Sequence, residues 1–115
     1  MSCAPAEIEE LRLVFPGVAE ALEGGVGYVL IPDLRLPAGT RPERVHALLC
    51  PRAECHGYPS RLFFSERLES NKSLNWNPAN GIRILERNWH AFSWRLNQTG
   101  LRLVQLVALH LKPLQ

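Results

Sequence analysis

Short apolar runs separated by glycine and proline occupy the first two thirds of the chain, and runs of this length predict β-strands. Gly24-Gly25, between the first two runs, is typical of a hairpin turn, and Pro32-Asp33 is expected to end the second strand. Strands that follow one another through short turns favour an antiparallel meander. The four predicted strands cover residues 18–23, 26–31, 45–50 and 61–64.

Two further segments have the three- and four-residue spacing of a helix. Near the N-terminus, Ile8, Leu11 and Phe15 form a narrow apolar stripe. Near the C-terminus, a broad apolar face between residues 101 and 111 predicts a largely buried helix. Thr99 is the expected N-cap of this second helix.

A polar segment from residue 66 to 80 separates the last predicted strand from the C-terminal part, and we interpret it as a long surface loop. Loops of this length are uncommon and often functional. Residues 81–85 are predicted to form either a short strand or a turn. The chain is thus predicted to be one α+β domain over residues 1–115, with an N-terminal helix, a four-stranded antiparallel meander, a long loop and a C-terminal helix.

Composition and charge narrow the class of protein. The 115 residues are 46% hydrophobic and 21% charged, as in ordinary folded domains. A net charge of +2 is too small to indicate nucleic-acid binding by itself. No apolar run reaches the ~20 residues of a membrane helix, and the acidic N-terminus lacks the apolar core of a signal peptide. We therefore expect a cytoplasmic protein in which Cys3, Cys50 and Cys55 are reduced thiols.

Four possible zinc ligands lie close together in the sequence, namely His46, Cys50, Cys55 and His56. On one strand, the first two would be about 13 Å apart at ~3.3 Å per residue, which is too far to share an ion. No Cys-x-x-Cys pair and no glycine-rich phosphate loop is present, so we predict neither a metal site nor a cofactor. Within an apolar strand, Cys50 is expected to be an inert thiol.

A possible hydroxyl nucleophile is Ser93, which lies three residues after His90. A serine nucleophile needs an adjacent base, and these two side chains would meet only if the segment made a helical turn. No Gly-x-Ser-x-Gly motif is present. The pattern therefore favours a surface serine in a structural aromatic patch.

The aromatic patch includes Trp89 and Trp94 and is preceded by Trp76 in the polar loop. Six arginine and lysine residues lie between positions 61 and 95, and aromatic residues combined with cations can bind single-stranded nucleic acid. Glutamates are interleaved with these cations, however. This mixture favours aromatic residues that anchor the loop and the last helix to the core.

A series of short motifs follows the predicted elements in order. The series is Gly24-Gly25, Val29-Leu30-Ile31-Pro32-Asp33, Leu36-Pro37-Ala38-Gly39, Leu48-Leu49, Tyr58-Pro59, Leu62-Phe63-Phe64 and Trp89-x-x-Phe92-Ser93. Together with the order of the elements, it resembles the ubiquitin-conjugating-enzyme-like (UBC-like) superfamily, and in particular a bacterial branch, the prokaryotic family E. The resemblance covers roughly residues 22–112.

One departure from that superfamily concerns its nucleophilic cysteine. The resemblance places Arg83 or Ile84 at the position of this cysteine, and no cysteine follows Cys55. A thioester at the usual place is therefore impossible. The histidine of the superfamily's His-Pro-Asn motif is also missing before Asn77-Pro78.

The resemblance implies a component of a bacterial ubiquitin-like conjugation pathway, of the kind found in antiphage-defence operons. A ubiquitin-like protein and an adenylating activating enzyme are the expected partners, with a deconjugating protease of the same operon as a further candidate. Neither a membrane nor a nucleic acid is an expected partner.

Two versions of this function stay open. In the binding version, the chain is a cysteine-less scaffold, and the three tryptophans named above are candidates for its binding surface. In the enzymatic version, a non-cysteine residue carries the acyl group, either Ser93 with His90 as its base or Ser73. An alternative from another class is a small zinc- or single-stranded nucleic-acid-binding domain that shares only the strand pattern.

Overall fold

The computed structural model describes residues 5–52 and 55–115 and has the α+β architecture predicted from the sequence. An N-terminal helix precedes a four-stranded sheet, a two-stranded hairpin follows, and a second helix lies near the C-terminus. No helix in the described ranges is both long and apolar enough to cross a membrane. The elements are α1 (Pro5–Val14), β1 (Ala19–Glu23), β2 (Val26–Arg35), β3 (Arg44–Cys50), β4 (Arg61–Phe64), β5 (Ile82–Ile84), β6 (Arg87–Trp89) and α2 (Leu103–His110).

The strands β1 to β4 form an antiparallel meander in which each strand pairs with the next along the chain. The predicted end of the second strand at Pro32-Asp33 is wrong, because β2 continues to Arg35. Its pairing with β3 shifts between Ile31 and Leu34, where Asp33 has a φ of 54°. This irregularity leaves the proline, which has no N–H to donate, out of the ladder.

Both helices pack on one face of the sheet. Leu11 of α1 and Leu103 and Val107 of α2 are buried there in the larger of two apolar cores. Burying one such side chain stabilises the fold by roughly 2 kcal/mol. An ion pair between Glu10 and Arg102 joins the two helices at the surface.

The second helix begins at Leu103, with Arg102 rather than the predicted Thr99 in the N-cap position. The N–H of Arg102 donates a hydrogen bond to Oε1 of Gln105 at 2.8 Å. A side chain three residues further on therefore satisfies this donor, as in one half of a capping box.

The hairpin of β5 and β6 covers the opposite face of the sheet. Ile84 and Trp89 of the hairpin lie with Phe63 of β4 in a second core, and each is no more than 1% exposed. The turn consists of Leu85 and Glu86, with φ of 52° and 65°. Two-residue hairpin turns need such angles, which asparagine and glycine adopt most readily. Neither asparagine nor glycine occupies this turn. The sequence therefore predicted a strand or a turn at residues 81–85, but no hairpin.

The predicted long loop contains no helix or strand between residues 65 and 81. Two isolated bridges fasten it to the rest of the molecule, one between Arg41 and Glu69 and one between Trp76 and Phe92. The rings of the second pair meet edge to face with centroids 5.7 Å apart. The loop is therefore packed along the domain at both of these points.

Candidate functional site

A group of polar side chains gathers around Tyr58, between β3 and β4. The hydroxyl of Tyr58 donates a hydrogen bond to Oγ of Ser93 at 3.1 Å, and Nδ2 of Asn77 donates to the Tyr58 hydroxyl at 3.3 Å. Nδ2 of Asn75 also donates to Oγ of Ser93, at 3.5 Å. With two arginines described below, these residues form the Tyr58 cluster. Its members are Tyr58, Arg61, Asn75, Asn77, Ser93 and Arg95.

Backbone hydrogen bonds position the polar side chains of this cluster. The N–H of Ser93 donates to the carbonyl of Asn75 at 2.7 Å, and the N–H of Asn77 donates to the carbonyl of Ala91 at 2.9 Å. On the other side, Tyr58 closes a turn through mutual backbone hydrogen bonds with Cys55. The long loop thus runs beside the segment that follows β6, which brings both asparagines to the hydroxyl groups.

Arg61 places a buried guanidinium beside the cluster. The residue is 2% exposed, and its Cζ lies 4.1 Å from the centroid of the Tyr58 ring. Its Nη2 donates to the carbonyl of Asn77 at 2.6 Å and to the carbonyl of Phe92 at 3.3 Å. A buried charge is costly unless hydrogen bonds or an opposite charge compensate it. Here two carbonyls and an aromatic ring provide the compensation.

Arg95 brings a second guanidinium to the same ring. Its side chain is exposed, its Cζ lies 5.1 Å from the Tyr58 centroid, and its Nη2 donates to the carbonyl of Gly57 at 2.8 Å. In the described part of the chain, no Asp or Glu oxygen lies within 4.0 Å of the guanidinium of Arg61 or Arg95. The cluster is therefore rich in hydrogen-bond donors and carries two positive charges.

These contacts lower the pKa of the Tyr58 phenol below its usual value. Hydrogen bonds with Ser93 and Asn77 are the largest causes, and the charges of Arg61 and Arg95 add to them, while partial burial acts in the opposite direction. The amide N–H of Asn77 and the charges of Arg61 and Arg95 favour a negative charge on the Tyr58 oxygen. The cluster thus has the electrostatics of a site for an anionic group.

The structure does not join Ser93 to His90. The backbone N–H and C=O of His90 pair with Phe64 at 2.8 and 2.7 Å, and Nδ1 of its ring has no hydrogen-bond partner. The ring packs against Gly81, where a Cβ would lie 2.8 Å from its Cε1. The hydroxyl of Ser93 instead accepts hydrogen bonds within the Tyr58 cluster. The histidine is therefore not placed as a base for this serine.

The other sequence-predicted positions are spread over the surface and the second core. Ser73 is exposed in the long loop, and no described side chain forms a hydrogen bond with its hydroxyl. Arg83 is exposed on β5, whereas Ile84 is 1% exposed in the core. Neither of these two residues is a nucleophile.

The three tryptophans have different environments. Trp89 is 1% exposed and donates its indole N–H to the carbonyl of Ile84 at 3.0 Å, so it belongs to the core. Trp76 is partly buried against Phe92, as described above. Trp94 is 37% exposed, with its indole N–H bound to the carbonyl of Leu109 at 3.2 Å. Of the three, Trp94 offers the most surface to a partner.

The expectation of reduced thiols is wrong for two of the cysteines, because Cys50 and Cys55 form a disulfide. The end of β3 and the turn that begins at Cys55 bring their Cα atoms within 5.9 Å of each other. Sulfurs bonded to each other are not available as zinc ligands, and the described residues contain no group of three or more potential metal ligands. Cys3 lies outside the described residues.

Sequence reasoning missed a buried serine–histidine pair. Oγ of Ser60 lies 2.8 Å from Nε2 of His110, and the two residues are 3% and 2% exposed. Burial, with a smaller contribution from the charge of Arg61, lowers the pKa of His110 to about 4. Ser60 also lines a cavity of about 280 Å³ at the start of the C-terminal segment. Fifty residues separate the pair, and no local motif marks either one.

Comparisons of the chain with protein-family models, with curated proteins and with solved structures gave no significant match.

Proposed function

We propose that this protein is a ubiquitin-conjugating-enzyme-like component of a bacterial ubiquitin-like conjugation pathway, of the antiphage-defence type, and that it acts in the cytoplasm. Its role is to bind the ubiquitin-like protein or the adenylating activating enzyme without forming a covalent bond to either. Support for the family comes from the sequence motifs and from the order of elements. An N-terminal helix, a four-stranded meander, a long irregular loop and a C-terminal helix follow one another.

The observation that favours binding over catalysis is the environment of Ser93. A serine becomes a nucleophile when a base accepts its proton, usually from within hydrogen-bond distance. In this chain the hydroxyl of Ser93 accepts hydrogen bonds from Tyr58 and Asn75, and Nδ1 of His90 has no hydrogen-bond partner, so it does not bond to Ser93. With Arg83 and Ile84 at the position of the missing cysteine, no residue there is suited to hold an acyl group.

The test is an incubation of the protein with the activating enzyme and ubiquitin-like protein encoded beside it, together with ATP. Intact mass is measured with and without reductant, and size-exclusion chromatography shows which partners co-elute. We expect an unchanged mass and co-elution with one partner. Trp94→Ala should weaken co-elution, whereas Leu22→Ala, which truncates a 65% exposed side chain on the edge strand β1, should not.

The other outcomes have distinct meanings. A reductant-resistant adduct that disappears in Ser93→Ala would replace the binding version with the enzymatic one. A reductant-sensitive adduct would place the acyl group on a cysteine and contradict the non-covalent role. With neither adduct nor co-elution, the proposed pathway itself would be wrong.

A further inference from the structure

A cleft of about 910 Å³ lies between the β2–β3 connection and the first residues of the long loop. The N–H of Leu36 donates to the carbonyl of Glu43 at 2.8 Å, which closes the connection. Arg41 and Glu69 exchange backbone hydrogen bonds of 2.8 and 2.7 Å, which fasten the connection to the loop. Backbone pairing therefore holds the two walls of this cleft together.

Charged side chains of both signs line the cleft, which we call the charged cleft. They are Arg35, Arg41, Arg67, Glu43, Glu66 and Glu69. In the ranges that the structure describes, none of the six forms an ion pair within 4.0 Å, whereas Asp33 and Arg44 nearby do pair, at 3.0 Å. Arginines and glutamates balance each other, so a ligand of one charge sign gains little from the set as a whole. A ligand that carries both signs can use it fully.

Arg41 and Glu69 place opposite charges side by side. Residues that exchange both backbone hydrogen bonds lie directly opposite each other, with Cα atoms about 5.5 Å apart and side chains on the same face. Both side chains are exposed and line the cleft, and they form no ion pair with each other. The two residues thus offer a guanidinium and a carboxylate at short separation to one ligand.

Thr40 adds a buried hydroxyl to the lining of the cleft. The residue is 3% exposed, and its Oγ1 has no hydrogen-bond partner among the described residues. A turn fixes its position, because the N–H of Thr40 donates to the carbonyl of Pro37 at 3.2 Å and Gly39 has a φ of 89°. A buried hydroxyl without a partner is unfavourable, and a polar group of a ligand would satisfy it.

We propose that the charged cleft binds a free α-amino acid with an apolar side chain. Such a molecule carries its ammonium and carboxylate groups on one carbon, so it can meet two adjacent, opposite charges at once. The guanidinium of Arg41 and the hydroxyl of Thr40 donate to the ligand carboxylate, and the ligand ammonium donates to the carboxylate of Glu69. This site is separate from the proposed function, and neither depends on the other.

The apolar side chain of the ligand has a surface to contact in the same cleft. Pro37, Ala38 and Pro42 line it, and all three are exposed or half-buried. Small-molecule sites combine such apolar lining with a few placed polar groups, in volumes of about 300–1,000 Å³. Because the cleft is larger than one amino acid, we expect several apolar amino acids to bind with similar affinity.

The experiment is a two-dimensional NMR titration of the full chain with L-leucine, leucinamide and 4-methylpentanoate. Leucine should shift the backbone amide signals of Arg41 and Glu69 in a saturable way. Leucinamide lacks the carboxylate and 4-methylpentanoate lacks the ammonium, so each should bind at least about tenfold more weakly. No saturable shift with leucine, or equal binding of either analogue, would overturn the proposal.

Variants of the two charged residues test the proposed contacts. Arg41→Gln and Glu69→Gln should each weaken leucine binding about tenfold, because each removes one partner of the zwitterion. The matched controls are Arg83→Gln and Glu86→Gln, the same changes at exposed positions of the β5–β6 hairpin, outside the charged cleft. Controls that weaken binding as much as the cleft variants would show that general charge, and not this pair, attracts the ligand.

Thr40 separates a ligand contact from a structural role. Thr40→Val should weaken leucine binding while the free energy of unfolding stays the same or rises, because the hydroxyl has no hydrogen bond to lose in the free protein. Thr40→Ser keeps the hydroxyl and should keep the binding. Full affinity in Thr40→Val, or a clear loss of stability in that variant, would contradict the role assigned to this hydroxyl and overturn the site as proposed.

Discussion

Ser60 and His110 form a hydrogen bond of 2.8 Å between the loop before β4 and the last turn of α2, and both side chains are buried. This pair ties the C-terminal helix to the sheet through polar atoms inside an apolar core. Because burial holds the pKa of His110 at about 4, the imidazole is neutral at pH 7 and accepts or donates a hydrogen bond without charge.

The stability of the protein should therefore depend on pH through His110. Its pKa is about 4 in the folded state, against an ordinary value near 6.5, so only the unfolded chain binds this proton between those two values. Stability from this group is present above pH 6.5 and is lost as pH falls toward 4, by about 3 kcal/mol at most. Urea unfolding at pH 7 and 4.5 measures the loss. His110→Gln, which cannot titrate, should flatten the profile, and an unchanged profile would contradict the assignment.

The disulfide should contribute measurably to stability. Closing a loop of about six residues reduces the entropy of the unfolded chain by an amount worth about 2 kcal/mol. Reduction, or the Cys50→Ala/Cys55→Ala double variant, should lower the free energy of unfolding by about this amount. Alkylation in denaturant without reductant should then modify a single thiol in the oxidised protein and three after reduction. Modification of all three cysteines without reductant would show that the bond is absent.

Two glycines with similar backbone angles should respond differently to alanine. Gly81 and Gly100 have φ of +81° and +72°, so a side chain at either position costs about 1–2 kcal/mol of backbone strain. At Gly81 a Cβ would also lie 2.7 Å from the carbonyl oxygen of Trp89, whereas at Gly100 nothing lies within 4 Å. Gly81→Ala should thus cost about 1–3 kcal/mol more than Gly100→Ala in denaturant unfolding. Equal losses would mean that the hairpin does not pack closely on this glycine.

Tryptophan truncation should separate the core from the surface. Trp89→Ala removes a side chain that is 1% exposed and should cost about 3–5 kcal/mol, whereas Trp94→Ala, at 37% exposed, should cost about 1 kcal/mol or less. Urea unfolding followed by circular dichroism compares the two variants. If Trp94→Ala lowered the free energy of unfolding as much as Trp89→Ala, the Trp94 indole would be part of the folded core. Loss of co-elution in Trp94→Ala could then not be assigned to a binding surface.

The sequence predicted those secondary-structure elements that depend on local patterns of apolar and polar residues. The four strands follow their apolar runs closely, with the exception of β2, in which an irregularity at Pro32-Asp33 lets the strand continue. The start of α2 was misplaced because Gln105 satisfies the backbone donor that Thr99 was expected to satisfy. Local propensity cannot anticipate a choice between two such partners.

The candidate site was less predictable, because it is built from contacts across long stretches of chain. The sequence identified Ser93 as a candidate, but its hydrogen-bond partner Tyr58 is 35 residues away in the chain. The ring of His90, the partner predicted from the sequence, packs against Gly81 instead. Neither charge nor spacing reveals that Arg61, on an otherwise apolar strand, reaches the long loop. These relationships depend on how the loop folds back, which no short motif records.

The position of Arg61 also has a consequence for local unfolding. Its two hydrogen bonds, to the carbonyls of Asn77 and Phe92, tie β4 to two segments that already pair with each other. Neither segment can detach without exposing this guanidinium and breaking the bonds of the other. The amide protons of Asn77 and Ser93 should therefore exchange with solvent at matched rates, as members of one cooperative opening unit, although 16 positions separate them in the chain.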